Sequence, residues 1–172
     1  MKKFLLLLLS LYLALVFLMP KVELWYTLKH YLQPQRIVLT QKSAKDLLWA
    51  LKVEEMTLLY DGIESARAET VTVIPWLFYN AVKVENLSAG KDVRKMFDFK
   101  AENLNITYSV LSPFQANIEA EGNFGKIHGA LFLKTGKLKL LCEPTKRFKS
   151  SSMFREMFRK TDEGYLHESS IR

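Results

Sequence analysis

Alternation of apolar and polar side chains along residues 36–142 constrains the fold of this chain more than any other feature. In the clearest stretch, Leu104, Ile106 and Tyr108 alternate with asparagine, threonine and serine. A period of two places the two sets of side chains on opposite faces of an extended strand. The sequence therefore predicts strands that have one apolar face and one polar face.

Short connections join the predicted strands into hairpins. Phe114 and Ile118 begin the apolar side of the next strand, and Gly122-Asn123 and Thr135-Gly136 mark the turns that follow. Asp61-Gly62 is a strong hairpin signal further upstream. The other predicted strands span residues 52–60, 63–74, 81–89 and 163–168. Consecutive strands with such short connections predict an antiparallel meander.

Three segments depart from this alternation and are predicted to be helical. Ser43 suits the N-cap of a short helix that runs through Leu51. Residues 75–80 are expected to form one helical turn. Residues 145–160 interleave phenylalanine and methionine with arginine and lysine, which predicts a basic amphipathic helix of about three turns.

A membrane-targeting signal opens the chain. Lys2 and Lys3 precede residues 4–19, a run of sixteen residues without a charge. As a helix this run is roughly 24 Å long, and apolar residues after it extend it towards the roughly 30 Å bilayer core, with Trp25 and Tyr26 at the interface. No small residues suit a signal peptidase there, so we expect an uncleaved anchor over residues 1–27, with a cleaved signal peptide as the alternative.

Cysteine content and charge exclude two classes of protein. Cys142 is the only cysteine, so a disulfide-stapled module is excluded. The net charge is +7, but residues 145–160 carry six basic residues against Glu156 alone. Because the positive charge is concentrated there, it favours contact with an anionic surface over nucleic-acid binding.

The residues do not indicate catalysis or a bound cofactor. His30, His128 and His167 lack the spacing of metal ligands. Cys142 falls in phase with the apolar residues of a strand, as a buried cysteine does. The sequence contains no phosphate-binding loop, nucleophile motif or convincing carboxylate pair. We therefore expect a protein that is not an enzyme and has no catalytic, cofactor or metal site.

Two surfaces are candidates for binding. The basic segment is expected either to contact anionic lipid headgroups or a membrane partner, or to cover the end of the sheet with its cations in water. Its cationic residues are Lys146, Arg147, Lys149, Arg155, Arg159 and Lys160. The apolar face of the sheet is expected to be either a closed core or an open groove for a lipid chain or a partner strand. Its lining residues include Leu104, Ile106, Tyr108, Phe114 and Ile118.

Short phrases within the strands resemble a known family. Val84-Glu-Asn-Leu-Ser-Ala-Gly90 and Ala101-Glu-Asn-Leu-Asn-Ile-Thr107 repeat one pattern, and the run from Gly122 to Leu140 follows them. With these phrases, residues 36–168 resemble the periplasmic part of general secretion pathway protein N and, more broadly, the AsmA-type proteins of Gram-negative bacteria. The resemblance implies an inner-membrane helix, an open taco-like sheet, and a role in secretion-system assembly or lipid handling.

The combined expectation is a mainly β protein: an N-terminal transmembrane helix, an antiparallel, open, taco- or jellyroll-like sheet, and a C-terminal amphipathic helix. Residues 1–27 form the anchor, and residues 28–172 form one β-rich periplasmic domain of a single-pass inner-membrane protein. By resemblance, it acts in type II secretion by binding proteins or lipid. A lipopolysaccharide-transport component of the LptC kind is the alternative. Expected partners are the inner membrane, other envelope or secretion-system proteins and lipid, but not nucleic acid.

Overall fold

Within the residues that the computed structural model describes (2–94, 98–149, 156, 158–162 and 164–170), eleven strands form one antiparallel sheet. The strands are β1 (Ile37–Thr40), β2 (Ser43–Leu47), β3 (Ala50–Tyr60), β4 (Ile63–Trp76), β5 (Tyr79–Ala89), β6 (Lys100–Ser109), β7 (Gln115–Gly122), β8 (Gly125–Phe132), β9 (Lys137–Pro144), β10 (Arg159–Thr161) and β11 (Gly164–Ser170). The helices are α1 (Lys2–Leu18), α2 (Lys21–Leu32) and the single turn α3 (Lys146–Lys149), with a 3₁₀ turn at Gln33–Gln35.

The sheet is a meander in which β3 to β9 pair in chain order. At one edge, β1 and β2 lie end to end along β3, paired with residues 57–60 and 50–54. At the other edge, β11 pairs with β9, and β10 pairs with β11. Asp61 and Gly62 have φ angles of 53° and 81°, as a two-residue type I′ turn requires. The predicted antiparallel open sheet and this hairpin are confirmed.

Apolar residues of successive strands align in one row across the sheet. The row runs through Val53, Val71, Val84, Leu104, Ala120, Ile127, Cys142 and Tyr165. Directly paired residues point to the same side of a sheet, so the row marks one continuous apolar face. Val53 and Cys142 are fully buried, whereas Leu104 and Ile127 near the middle are half-buried. The core on this face therefore has two centres, one beneath α2 and one near the C-terminus.

A residue with left-handed backbone geometry in β3 keeps this apolar face continuous along the strand. Val53 and Met56 are three residues apart, so regular alternation would place them on opposite faces. Both nevertheless pack in the cluster beneath α2. Between them, Glu55 has a φ of 50°, and Asn86 has a φ of 51° at the corresponding part of β5. A residue in the left-handed region turns the chain locally, so the side chains that follow it on each strand return to the apolar side.

Two segments predicted to be helical belong to strands. Residues 43–51 form the β2–β3 hairpin, in which Ser43 Oγ donates a hydrogen bond to Glu54 Oε2 at 2.7 Å instead of capping a helix. Residues 75–80 form the ends of β4 and β5 with a two-residue turn between them. Pro75 is tolerated in β4 because the β3 ladder ends two residues earlier, so no strand on that side requires its missing N–H.

The amphipathic helix predicted over residues 145–160 is not seen among the described residues of that segment. Helix α3 spans Lys146–Lys149, residues 150–155 and 157 lie outside the described residues, and Arg159 and Lys160 belong to β10, which pairs with β11 at the edge of the sheet. Their backbone hydrogen bonds come from pairing with β11, a partner strand that the local sequence pattern does not reveal. Arg155, one of the predicted contact residues, lies outside the described residues. The last strand, predicted over residues 163–168, is confirmed as β11.

Two helices occupy the region predicted as an anchor helix and its interfacial flank, residues 1–27. Met19 and Pro20 separate α1 from α2, and the axes bend by 59°, since proline disrupts the helical hydrogen-bond ladder. Among the described residues no single helix is long and apolar enough to cross a bilayer, although the bent pair has the length and composition to do so. Trp25, predicted at the membrane interface, is instead 6% exposed and packs against the sheet.

Candidate functional site

Helix α2 lies across the apolar face of the sheet at β1–β3. Its inward side carries Lys21, Trp25, Leu28 and Leu32, whose spacing of four, three and four residues places them on one helical face. Trp25 belongs to the core cluster with Leu39, and Leu32 packs against that cluster. The helix therefore forms a roof over one part of an otherwise open sheet.

A cavity of about 510 Å³ lies between this roof and the sheet. Its volume falls in the roughly 300–1,000 Å³ range of small-molecule binding pockets. Fourteen of the fifteen lining side chains are apolar, and Lys21 is the exception. The helix contributes Lys21, Leu24, Trp25, Leu28 and Leu32, and the sheet side contributes Ile37, Leu39, Leu51, Met56, Leu58, Val71, Val73, Pro75, Val82 and Val84. Such a cavity excludes charged or strongly hydrated ligands from most of its length.

Lys21 places one ammonium group at this apolar cavity. Its side chain is almost fully buried, and Nζ lies 3.1 Å from Asp46 Oδ1 on β2 and 3.3 Å from the carbonyl oxygen of Met19. The Asp46 side chain is 37% exposed, so water hydrates the carboxylate but not the ammonium. An ammonium has three N–H donors, and the described residues accept from two of them. One donor therefore remains for a ligand oxygen.

Trp25, which also lines the cavity, carries a second buried donor. Its indole Nε1 is buried and has no hydrogen-bond partner among the described residues. An unpaired buried N–H costs about 1–3 kcal/mol, so a ligand that brings an oxygen to it would recover that energy. Lys21 and Trp25 lie four residues apart in α2, one helical turn along the same face. The cavity thus has a long apolar wall, and two buried donors lie on side chains that line it.

The residues predicted to line a groove lie outside this cavity. Leu104 packs against the core cluster beside it, and Ile106 and Ile118 are half-buried further along the same face. The hydroxyl of Tyr108 donates to the carbonyl of Pro113. Phe114 is exposed in the β6–β7 connection.

Sequence reasoning missed the cavity because residues after Pro20 were assigned to a membrane flank. The periodic spacing of Lys21, Trp25, Leu28 and Leu32 was the available signal.

The predicted basic surface is divided between two places. Lys146, Arg147 and Lys149 lie in α3, and the Lys149 ammonium sits 5.3 Å from the centre of the Tyr165 ring. Arg159 and Lys160 lie in the edge strand β10 and are exposed. The described members of the predicted basic surface are therefore split between a helical turn and an edge strand.

Cys142 and the metal-binding types of side chain are the other candidates for chemistry. Cys142 is buried, as predicted, and burial together with the neighbouring Glu143 raises the pKa of its thiol to about 11. A thiol with that pKa is not a nucleophile near neutral pH. Among the described residues, no three His, Cys, Asp or Glu side chains come together in a group that could hold a metal ion.

No family model, curated protein or solved structure matches the chain. The function proposed below therefore comes from the structure and the sequence of the chain itself.

Proposed function

We propose that this chain is a membrane-anchored binding protein, without catalytic activity, that holds one acyl chain of a lipid in the cavity beneath α2. The observation that carries the proposal is the 510 Å³ cavity lined by fourteen apolar side chains, with Lys21 as the only charged group. A saturated chain needs a long apolar wall and no polar partners along it. The two donors at Lys21 and Trp25 suit the carboxylate, ester or phosphate oxygens at the head of such a lipid.

Polar contacts, more than chain burial, would select the lipid. Transfer from water gains about 0.8 kcal/mol for each buried CH₂, but a chain that leaves a bilayer is already in apolar surroundings. The free energy of the buried acyl chain is therefore roughly the same in the cavity and in the membrane. Hydrogen bonds from the Lys21 ammonium and the Trp25 indole in a low-dielectric site would then decide which lipid binds.

The membrane location is part of the same proposal. Helix α1 is rich in leucine, and Leu5, Leu6 and Leu7 on it are more than 60% exposed, which suits lipid surroundings. Lys2 and Lys3 would hold its start in the cytoplasm and place the sheet on the periplasmic side of the inner membrane. This arrangement agrees with the resemblance to the AsmA-type proteins, and it favours lipid handling in the cell envelope.

A secretion-system component remains the second candidate. Its protein partners would need a surface outside the cavity. The edge strands are poorly suited to pairing with a strand of another protein, because β1 is four residues long and β10 is three residues long and basic. Short and charged edges resist the addition of a partner strand.

Photocrosslinking in intact membranes tests the proposed ligand. A benzophenone amino acid is placed at Met56, which lines the cavity, or at Thr57, the next residue on the other face of β3. The proposal predicts a covalent adduct of lipid mass at Met56 and a far lower yield at Thr57. Equal yields at both sites, or a protein adduct at Met56, would rule out an acyl-chain site. The variant Lys21→Met should lower the Met56 yield, because it removes one of the two donors.

A further inference from the structure

One end of the sheet exposes large apolar side chains on consecutive connections. The connections at this end are β2–β3, β4–β5, β6–β7 and β8–β9. Six exposed residues define what we term the apolar end: Leu48, Trp49, Leu77, Phe78, Leu111 and Phe114. Leu111 is 91% exposed. Such side chains in water lose the favourable free energy of burial, so a row of them marks a surface that something covers.

Hydrogen bonds join these connections into one surface. The indole Nε1 of Trp76 donates to the carbonyl of Trp49 at 3.1 Å. The backbone N–H of Val110 donates to the carbonyl of Phe78, also at 3.1 Å. The β8–β9 connection is tied to Phe114 in the same way, at 2.9 Å. Each connection therefore holds its neighbour, and the exposed side chains form one fixed rim rather than four separate loops.

The described connections at the opposite end of the sheet are more polar. They carry Asp61-Gly62, Lys91-Asp92 and Asn123, and the large exposed apolar side chains there are Tyr60 and Ile63. At the apolar end, by contrast, Lys134 is the one charged residue within the four connections, and none of them carries an aspartate or glutamate. The asymmetry matches the difference between a membrane-facing end and a solvent-facing end, since anionic headgroups attract lysine and repel carboxylates.

Helix α1 reaches the same end of the sheet. The Tyr12 ring lies 5.2 Å from the Phe78 ring, centre to centre. The leucine-rich surface of α1 therefore continues directly into the apolar end. Tryptophan and phenylalanine beside a hydrophobic helix are typical of the boundary between acyl chains and headgroups, where the rings are apolar and the indole N–H still meets water.

We propose that the apolar end docks into the headgroup region of the membrane that holds α1, so that the strands stand on the bilayer. Pro75 lines the cavity and precedes Trp76, at the start of the rim. Docking would thus bring one end of the cavity to the bilayer surface, where a lipid chain can pass between the two without crossing water. The inference rests on the proposed membrane location of α1 but not on the ligand of the cavity.

Quenching by brominated lipids tests this docking in the full chain. The protein is reconstituted into vesicles of phosphatidylcholine and phosphatidylglycerol in which the phosphatidylcholine is brominated at shallow or deep acyl positions. Two variants, W25F/W76F and W25F/W49F, retain only Trp49 or only Trp76. In a third, Tyr60→Trp joins the replacement of all three native tryptophans by phenylalanine and reports on the polar end. We expect strong quenching of Trp49 and Trp76 by shallow bromines, and none at the polar end.

Two negative results have different meanings. If the protein does not float with the vesicles, α1 is not an anchor, and the membrane part of the proposed function fails together with the docking. If the protein floats but Trp49 and Trp76 are quenched no more than the tryptophan at position 60, the docking alone is overturned. In the unaltered chain Trp49 and Trp76 are exposed and Trp25 is buried, so shallow bromines should also quench its fluorescence, which checks the docking without any substitution.

Discussion

The buried ion pair at the cavity predicts an asymmetry between its two partners. The variant Asp46→Ala leaves the Lys21 ammonium, which is 2% exposed, with the Met19 carbonyl as its only partner. An unpaired buried charge of this kind destabilises a protein by about 3 kcal/mol or more. The variant Lys21→Met instead leaves the Asp46 carboxylate, which is 37% exposed and can be hydrated. Methionine also keeps the apolar stem, so we expect a change within about 1 kcal/mol.

Thermal unfolding of the full chain in detergent micelles, followed by circular dichroism, measures this difference. One kcal/mol corresponds to about 2–4 °C for a chain of this size, so Asp46→Ala should lower the unfolding temperature by about 6–12 °C. Lys21→Met should lower it by at most about 4 °C. Glu121→Ala breaks the exposed pair with Lys126 and serves as the control with a small effect. If Lys21→Met lowers the unfolding temperature as much as Asp46→Ala does, the buried ammonium itself stabilises the fold, and the reasoning is refuted.

Three further predictions concern single positions. Hydrogen bonds from Ser43 and two lysines lower the pKa of Glu54 to about 2. The ionised carboxylate therefore stabilises the fold fully above its ordinary pKa of 4.5, and this stabilisation is lost as the pH falls from there towards 2. Carboxyl NMR titration should find this low midpoint, and a midpoint near 4.5 would contradict it. The Cys142 thiol, with its pKa raised to about 11, should react with a disulfide reagent at pH 8 far more slowly in the native than in the denatured chain, and equal rates would refute its burial. A Cβ at Gly129 would lie 2.2 Å from the carbonyl oxygen of Lys139. The variant Gly129→Ala should therefore destabilise the sheet by about 1–3 kcal/mol in the same unfolding assay. An unchanged unfolding temperature would show that β8 and β9 can move apart there without loss of stability.

Strands whose own sequence alternates strictly were predictable. β6 and β7 follow from the alternation around Leu104 and Ile118, and the turn between β3 and β4 follows from Asp61-Gly62, whose residues accept positive φ. These signals are local, since a strand with one apolar face needs only its own residues to show the period of two. The order of the meander then follows from the short connections.

Segments whose structure depends on distant partners were not predictable in the same way. The residues from Ser43 to Leu47 suit a capped helix locally. In the fold they pair with β3, and Ser43 and Asp46 meet Glu54 and Lys21 through side-chain contacts. Arg159 and Lys160 likewise become a strand because β11 lies beside them. Tertiary pairing overrides a weak local preference in both cases.

The candidate site was the least predictable part. The spacing of Lys21, Trp25, Leu28 and Leu32 shows a helical face, but it does not say what that face covers. The cavity exists because the chain bends at Pro20 and the Lys21–Asp46 pair holds α2 against β2, 25 residues away. The positive φ of Glu55 then turns Met56 and Leu58 towards the same space. None of these three conditions can be read from a local pattern.

Native mass spectrometry of the full chain, purified from membranes and released from detergent, tests the central claim most directly. The wild-type chain is compared with Val73→Phe, which fills the cavity, and with Thr72→Phe, the matched change at the neighbouring position, which does not line the cavity. Our account predicts one bound lipid in the wild-type and Thr72→Phe chains and a reduced bound fraction in Val73→Phe. A lipid-free wild-type chain, or equal lipid content in all three, would contradict it.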